Sequence, residues 1–174
     1  MSIEDLFEKI DRSIEKDDVE MLRESLVELS ISDELLEPKK NGTYPDHILN
    51  FLLAKLAAFR NSSREGGWDI FSTILSDVEN FDENQFASLL KHIEENYGYY
   101  VEPKLSYLLA EWLGGCRDEW AINTIEKWLN NSTNVVPLGN LKTALYEFLD
   151  SPLPYRADPD LVEKASQVRK SLNK

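Results

Sequence analysis

The feature that most constrains the fold of this chain is the recurrence of apolar residues every three or four positions along almost its whole length. Such residues fall on one face of a helix with about 3.6 residues per turn, so the pattern predicts amphipathic helices. Nine apolar stripes of this kind can be traced, and the segment "PDHILNFLLAKLAAF", beginning at Pro45, is apolar nearly all round. That segment is predicted to be the central, most buried helix. No stretch alternates apolar and polar residues as a strand requires, so the sequence predicts an all-α protein of about nine helices.

Glycine and proline residues mark where these helices are expected to begin and end. Each of them falls between two stripes or at the start of one. Proline is tolerated in the first helical turn, where the amide it lacks would be unpaired, and glycine ends helices because it accepts a left-handed backbone. On this basis the pair 114–115 is predicted to be a turn between two helices.

Two connections between the stripes are longer than the others. The first, residues 30–45, is expected to hold a short extra turn at 33–37, and the second, residues 150–159, is stiffened by prolines. Neither segment has the length or the biased composition of a domain linker. The chain is therefore predicted to be a single all-helical domain spanning residues 1–174.

Charge and composition limit the compartment and the partners. The net charge is −13, with the densest negative charge in residues 1–40, and there is one cysteine. The start of the chain is charged from its fourth residue and does not resemble a signal peptide, which favours the cytoplasm. The longest apolar run contains Lys55 and is too short to cross a bilayer. An acidic field repels nucleic acid and anionic membranes and attracts a basic protein, although acidity also simply keeps a protein soluble.

The chain offers little that points to catalysis. Cys116 lies next to Arg117 and just ahead of a helix start, two features that lower the pKa of a thiol. A nucleophilic cysteine also needs a base, and the two histidines, His47 and His92, belong to no cysteine-enzyme motif. No metal-ligand spacing, phosphate-binding loop or serine elbow is present. We therefore expect no enzyme and no cofactor; a thiol-dependent enzyme is the alternative.

The clearest helix pair in the sequence is "KLSYLLAEWLGGCRDEWAINTIEKWLNN", residues 104–131, under a fifth of the chain. An apolar first helix ends at Leu113, and an acidic start at 118–119 opens a second apolar helix. This pair resembles a HEAT-like repeat, and the resemblance implies antiparallel helix pairs stacked into an α-solenoid. HEAT-like units usually have small residues where this chain has Trp112 and Trp128, so an irregular helical bundle is the alternative architecture.

Trp120 is the main candidate for a binding residue. At about 100° per residue, its side chain is predicted to point about 140° away from the core direction of its helix, on a stripe shared with Asn123, Thr124 and Lys127. In a HEAT-like array the second helix of each pair lines the concave surface, and an exposed tryptophan is a typical anchor of an interface. The alternative is that Trp120 packs on the next helix pair.

The segment "ENYGYYVEP" is the second candidate, because it places Tyr99 and Tyr100 among carboxylates at a helix junction. Aromatic and acidic residues together suit a basic protein partner, although tyrosines at a junction are as often half-buried. The acidic residues 1–40 are a third candidate, or a solvated amphipathic hairpin. The complete set of predicted partner-binding residues is Glu94, Glu95, Tyr99, Tyr100, Glu102, Asp118, Glu119, Trp120, Asn123 and Lys127.

Size, acidity and helix pairing together resemble the all-α immunity proteins of bacterial polymorphic or contact-dependent toxin systems. The resemblance implies a cytoplasmic inhibitor that binds a cognate toxin domain, frequently a basic nuclease, and blocks its active site. It implies a protein partner, with no nucleic acid and no membrane involved. The alternative function is a HEAT-like scaffold or adaptor that joins other cellular proteins.

Overall fold

A computed structural model describes residues 2–59, 65–100, 103–116, 119–130, 136–150 and 159–172 of the chain. Within these ranges the regular structure is helical, with no strand, so the all-α prediction is confirmed. The helices are α1 (Ile3–Glu15), α2 (Val19–Ser30), α3 (Asp33–Lys40), α4 (Asp46–Ala58), α5 (Glu65–Ser76), α6 (Glu83–Glu95), α7 (Tyr97–Tyr100), α8 (Pro103–Cys116), α9 (Glu119–Asn130), α10 (Leu138–Asp150) and α11 (Pro159–Ser171). A 3₁₀ turn, Val78–Asn80, lies between α5 and α6.

The described part of the chain thus contains two more helices than the nine apolar stripes predicted. The additional helices are α3, of 8 residues, and α7, of 4 residues. Neither is long enough to repeat an apolar stripe, which is why periodicity does not reveal them. The short turn expected at 33–37 is the first part of α3, which continues through Pro38.

The helices form two compact units, Met1–Asn96 and Tyr97–Lys174. The first unit contains α1 to α6, and the second contains α7 to α11. The prediction of a single domain over residues 1–174 is not tested by this grouping and stays a prediction.

The first unit begins with an antiparallel helix pair, α1 and α2. Asp18 caps the start of α2, because its side chain accepts a hydrogen bond of 3.0 Å from the backbone amide of Met21. Asp17 precedes it with a φ of 56°, in the left-handed region that allows so short a turn. Further along the pair, the Lys9 ammonium lies 2.8 Å from the Glu28 carboxylate. Asp18 is therefore the N-cap of α2.

The second helix pair, α4 and α5, stacks on the first in the same direction. The rings of Phe7 in α1 and Phe51 in α4 are stacked with centroids 3.8 Å apart, and one turn later Lys55 lies 2.5 Å from Asp11. The start of α5 meets the start of α2, where Arg23 donates a hydrogen bond of 3.0 Å to Asp69. Helix α4 therefore runs parallel to α1, and α5 runs parallel to α2. Corresponding helices of successive pairs are also parallel in α-solenoids.

Helix α4, which the sequence predicted to be the most buried, buries one apolar face and leaves Asn50, Ala54 and Ala58 exposed. Five of its apolar residues are buried, and they are Ile48, Leu49, Leu52, Leu53 and Leu56. Burying a side chain of this size contributes about 1.5–3 kcal/mol to the free energy of unfolding. This face forms part of the core of the first unit, to which α5 adds Ile70, Phe71 and Ile74.

The second unit repeats the arrangement with the pairs α8–α9 and α10–α11. Helix α8 packs against α10, and α9 packs against α11. Near the start of α10, Asn140 donates a hydrogen bond of 2.7 Å to the hydroxyl of Ser106, which lies near the start of α8. Near the end of α8, a Cβ at position 114 would lie 2.8 Å from the carbonyl oxygen of Ala144, which is further along α10 than Asn140. Helices α8 and α10 are therefore also parallel and approach closely at Gly114.

The double glycine is not the turn that the sequence predicted. Helix α8 runs through both residues and ends at Cys116. Gly114 is buried against α10, whereas a Cβ at Gly115 would meet nothing within 4 Å in the part of the chain that the structure describes. The prediction of a turn at 114–115 is wrong because the first glycine serves the close approach of two helices rather than the end of one.

Candidate protein-binding surface

The two tyrosines predicted to contact a partner are buried. Tyr99 is 5% exposed and Tyr100 is 0% exposed, and their rings meet edge to face with centroids 5.4 Å apart. Burial raises the pKa of the Tyr100 hydroxyl well above its usual value. These side chains are buried, which agrees with the alternative left open by the sequence, that tyrosines at this junction pack inside the protein.

Trp120 does not project into solvent either. Its ring is half-buried against Trp112 of the preceding helix, with centroids 5.1 Å apart and planes tilted by 40°. Thr124, placed on the same outward stripe by the sequence, is buried. Asn123 is exposed, and its side-chain oxygen accepts a hydrogen bond from the ammonium group of Lys164 in α11. Trp128 is buried.

Packing on three neighbouring helices explains these differences. Helix α9 contacts α8, α10 and α11, so its neighbours cover it from more than one direction. The angular prediction from the sequence assumes one core direction, which holds for a surface helix but not for a helix with neighbours on several sides. On the outward stripe of α9, Thr124 is therefore buried and Trp120 half-buried, whereas Asn123 and Lys127 stay exposed.

The remaining predicted residues are carboxylates and one lysine. Glu95, Glu119 and Lys127 are exposed, and Glu94 is half-buried. Glu102 and Asp118 lie outside the described residues. Glu94 and Glu95 belong to the first unit and the other described candidates to the second. Their role in binding stays a prediction.

Buried titratable groups in the first unit form a structural cluster. The Lys39 ammonium pairs with the carboxylate of Asp77, which is buried. Burial, followed by the negative charge of Asp77, raises the pKa of the nearby Tyr44 hydroxyl well above its usual value. Gln85 fixes the same region by donating hydrogen bonds to the Tyr44 carbonyl oxygen, at 2.7 Å, and to Asp46, at 2.6 Å. The cluster ties α3, α4 and α6 together around the loop that follows α5.

The described residues contain no group of three or more metal-ligating side chains that could hold an ion. Within the same part of the chain, no helix combines the length and the apolar character needed to cross a bilayer. His92 is largely buried, and this burial lowers the pKa of its imidazole. His47 lies beside Phe7, with ring centroids 6.4 Å apart.

Exposed apolar residues and carboxylates come together on α2 and the start of α3. Val27 and Ile31, four residues apart and therefore on one face of the helix, are 60% and 63% exposed. An open groove of about 320 Å³ adjoins Ile31, with Leu6 of α1 on its other side. We call the set Glu24, Val27, Glu28, Ile31, Asp33 and Glu34 the acidic–apolar surface.

The core stripe of α2 does not reveal this surface. The stripe runs through Val19, Leu22, Leu26 and Leu29, and it leaves Val27 and Ile31 out. These two residues lie on the opposite face at a spacing of four. A β-branched apolar pair on the polar face of a helix is the signal that could have found the surface.

No family model matches this chain, and no curated protein or solved structure is significantly similar to it. Its function must therefore be inferred from the chain's own side chains. Among these, the acidic–apolar surface combines exposed apolar area with negative charge on described residues.

Proposed function

We propose that this protein is a protein-binding inhibitor that captures a basic partner through the acidic–apolar surface. The observation that supports the proposal is the exposure of Val27 and Ile31 beside a groove lined by carboxylates. Apolar residues in the centre of an interface supply most of its affinity, while charges around them guide the encounter. The surface has this composition.

The charge of the chain fits a basic partner. Glu28, Asp33 and Glu34 line the groove, and Glu24 lies one turn before Glu28 on α2. At physiological salt the field of a charge decays over about 8 Å, so these local carboxylates matter more for a docked partner than the distant ones. The net charge of −13 adds long-range attraction during the encounter.

We propose further that the partner is a cognate bacterial toxin domain, most simply a basic nuclease, and that the protein acts as its immunity protein. A nuclease cleft is cationic because it binds a polyanion. An acidic surface with an apolar centre would cover such a cleft and exclude the nucleic acid. This mechanism requires no catalytic residue in the inhibitor.

Binding and inhibition of the toxin domain encoded next to this gene test the proposal. A triple variant of the surface, Ile31→Asp with Asp33→Lys and Glu34→Lys, should weaken binding by at least about tenfold, equivalent to about 1.4 kcal/mol. A control variant, Glu95→Lys with Glu119→Lys, reverses two exposed carboxylates from the set predicted by the sequence and should bind nearly as well as the wild type. Loss of binding only in the control would contradict the proposed surface.

A scaffold or adaptor is the second candidate function. The observation that favours it is the parallel stacking of helix pairs in both units, which is the architecture that extended binding proteins use. Gene neighbourhood separates the two candidates: a toxin gene directly upstream supports the inhibitor, and a housekeeping operon supports the adaptor.

A further inference from the structure

The line of contact between α1 and α2 has opposite charges at its two ends. Near the turn that joins the helices, an open groove of about 440 Å³ is lined by Asp5, Lys9, Arg12, Lys16 and Met21. Three cations line this groove in a segment, residues 1–40, that contains six bases in all and thirteen acids. The groove therefore gathers half of the cations of this acidic segment beside one lining carboxylate, Asp5.

The three cations share one face of α1 because they are spaced at i, i+3 and i+7. Arg12 and Lys16 are exposed. The Arg12 Nε donates a hydrogen bond of 3.2 Å to the Glu8 carbonyl oxygen, and its guanidinium lies 3.7 Å from the Glu8 carboxylate on the same helix. Met21, on α2, adds apolar area to the same groove. A groove with exposed cations and an apolar side chain suits a carboxylate-bearing protein surface.

The acidic groove beside Ile31 lies towards the other end of the same helix pair. Because α1 and α2 are antiparallel, Lys16 and Met21 are near one end of their contact, and Leu6 and Ile31 are near the other. The ion pair between Lys9, which lines the cationic groove, and Glu28, which lines the acidic one, joins the two at 2.8 Å. We call this line of residues the bipolar seam.

We propose that two copies of this chain associate through the bipolar seam about a two-fold axis, with the cationic groove of each copy on the acidic groove of the other. A two-fold axis reverses the seam of one copy relative to the other, so that both oppositely charged contacts form at once. Met21 and Ile31, one in each groove, supply apolar contact at both ends. A second copy of the chain therefore carries the charge that complements each of the two grooves.

The proposed dimer covers part of the acidic–apolar surface, so self-association and capture of a basic partner compete. The interface also has to form despite the net charge of −13 on each copy. At physiological salt, charges outside the contact are largely screened, whereas the ion pairs within it are screened less. We therefore expect a reversible dimer that dissociates as the salt concentration is raised towards about 1 M, where the screening length falls to about 3 Å.

Sedimentation velocity of the full chain at increasing concentration tests the dimer without any partner. The measured mass should rise from the monomer value of 20.1 kDa towards twice that value. Arg12→Glu with Lys16→Glu makes both ends of the seam acidic, and Asp33→Lys with Glu34→Lys makes both ends basic. Each variant alone should stay monomeric, and an equimolar mixture of the two should form a heterodimer, because every reversed groove then faces its complement.

A matched control, Lys91→Glu with Lys170→Glu, reverses the charge of two exposed lysines outside the seam. This variant should dimerise like the wild type. Circular dichroism should show that all variants remain folded. A wild type that stays monomeric at every concentration would overturn the proposal. So would a mixture that fails to associate, or a dimer that persists in both seam variants. Because no partner is present, these results are independent of whether the protein inhibits a toxin.

Discussion

Replacing Gly114 by alanine should weaken the contact between α8 and α10. A Cβ at this position would lie 2.8 Å from the carbonyl oxygen of Ala144 and 2.9 Å from the Cβ of Glu147, whereas ordinary contacts begin at 3.4 Å. The two helices would have to separate locally by roughly 0.5 Å, because a backbone oxygen cannot rotate away as a flexible side chain can. Overpacking of this kind costs about 1–3 kcal/mol.

The adjacent glycine provides a matched control. Gly115 is also in α8 and is exposed, and a Cβ added there would have no neighbour within 4 Å among the described residues. Gly115→Ala should therefore stabilise the protein by about 0.5–1 kcal/mol, because alanine favours the helix more than glycine does. The same gain applies approximately to Gly114→Ala, so the difference between the two variants isolates the packing cost.

Urea unfolding followed by circular dichroism measures this difference. We expect Gly114→Ala to be less stable than Gly115→Ala by about 1–3 kcal/mol, which corresponds to about 2–12 °C in Tm for a chain of this size. Equal stability of the two variants would refute the close approach of α8 and α10 at Gly114.

Three further variants test other parts of the fold. Asp77→Ala removes the partner of Lys39 from a mostly buried ion pair and should lower the free energy of unfolding by about 2–3 kcal/mol. The control Lys40→Ala removes an exposed ion pair and should leave the free energy of unfolding unchanged. Equal losses for the two variants in urea unfolding would contradict the importance of the buried pair. Burial lowers the pKa of His92 below its ordinary value of 6.5, so the unfolded state takes up a proton first and stability falls as the pH drops through 6.5. His92→Gln should flatten this pH dependence, and an unchanged slope would show that another group is responsible. Trp112→Phe removes an indole N–H that makes no hydrogen bond within the described residues and should cost under about 1.5 kcal/mol in thermal unfolding, whereas a larger loss would indicate a partner for that group.

The sequence is sufficient to predict helices, because helix formation and burial of one face leave a periodic record. The apolar face of α4 and the N-cap at Asp18 are predictable because each depends on residues that are close together in the chain. The short helices α3 and α7 are not predictable in this way, since one or two turns cannot repeat a stripe. The role of Gly114 is ambiguous in the sequence because a helix end and a close helix contact both favour glycine.

The binding site is harder to predict than the fold, because exposure depends on which helices become neighbours. Trp120 points away from one core direction and is nevertheless covered by Trp112. Conversely, Val27 and Ile31 are apolar and nevertheless exposed. Composition marks which residues are able to bind, and only the tertiary packing shows which of them a partner can reach.

The distribution of the tryptophans makes unfolding of the two units optically distinguishable. The chain has four, of which only Trp68 lies in the first unit, while the second contains the close pair of Trp112 and Trp120 together with Trp128. Intrinsic fluorescence therefore reports mainly on residues 97–174, whereas far-ultraviolet circular dichroism reports on helices throughout. Coincident transitions would show a single cooperative domain, and an earlier fluorescence change would show the second unit melting first. The unmodified protein thus contains its own probe of how its two halves are coupled.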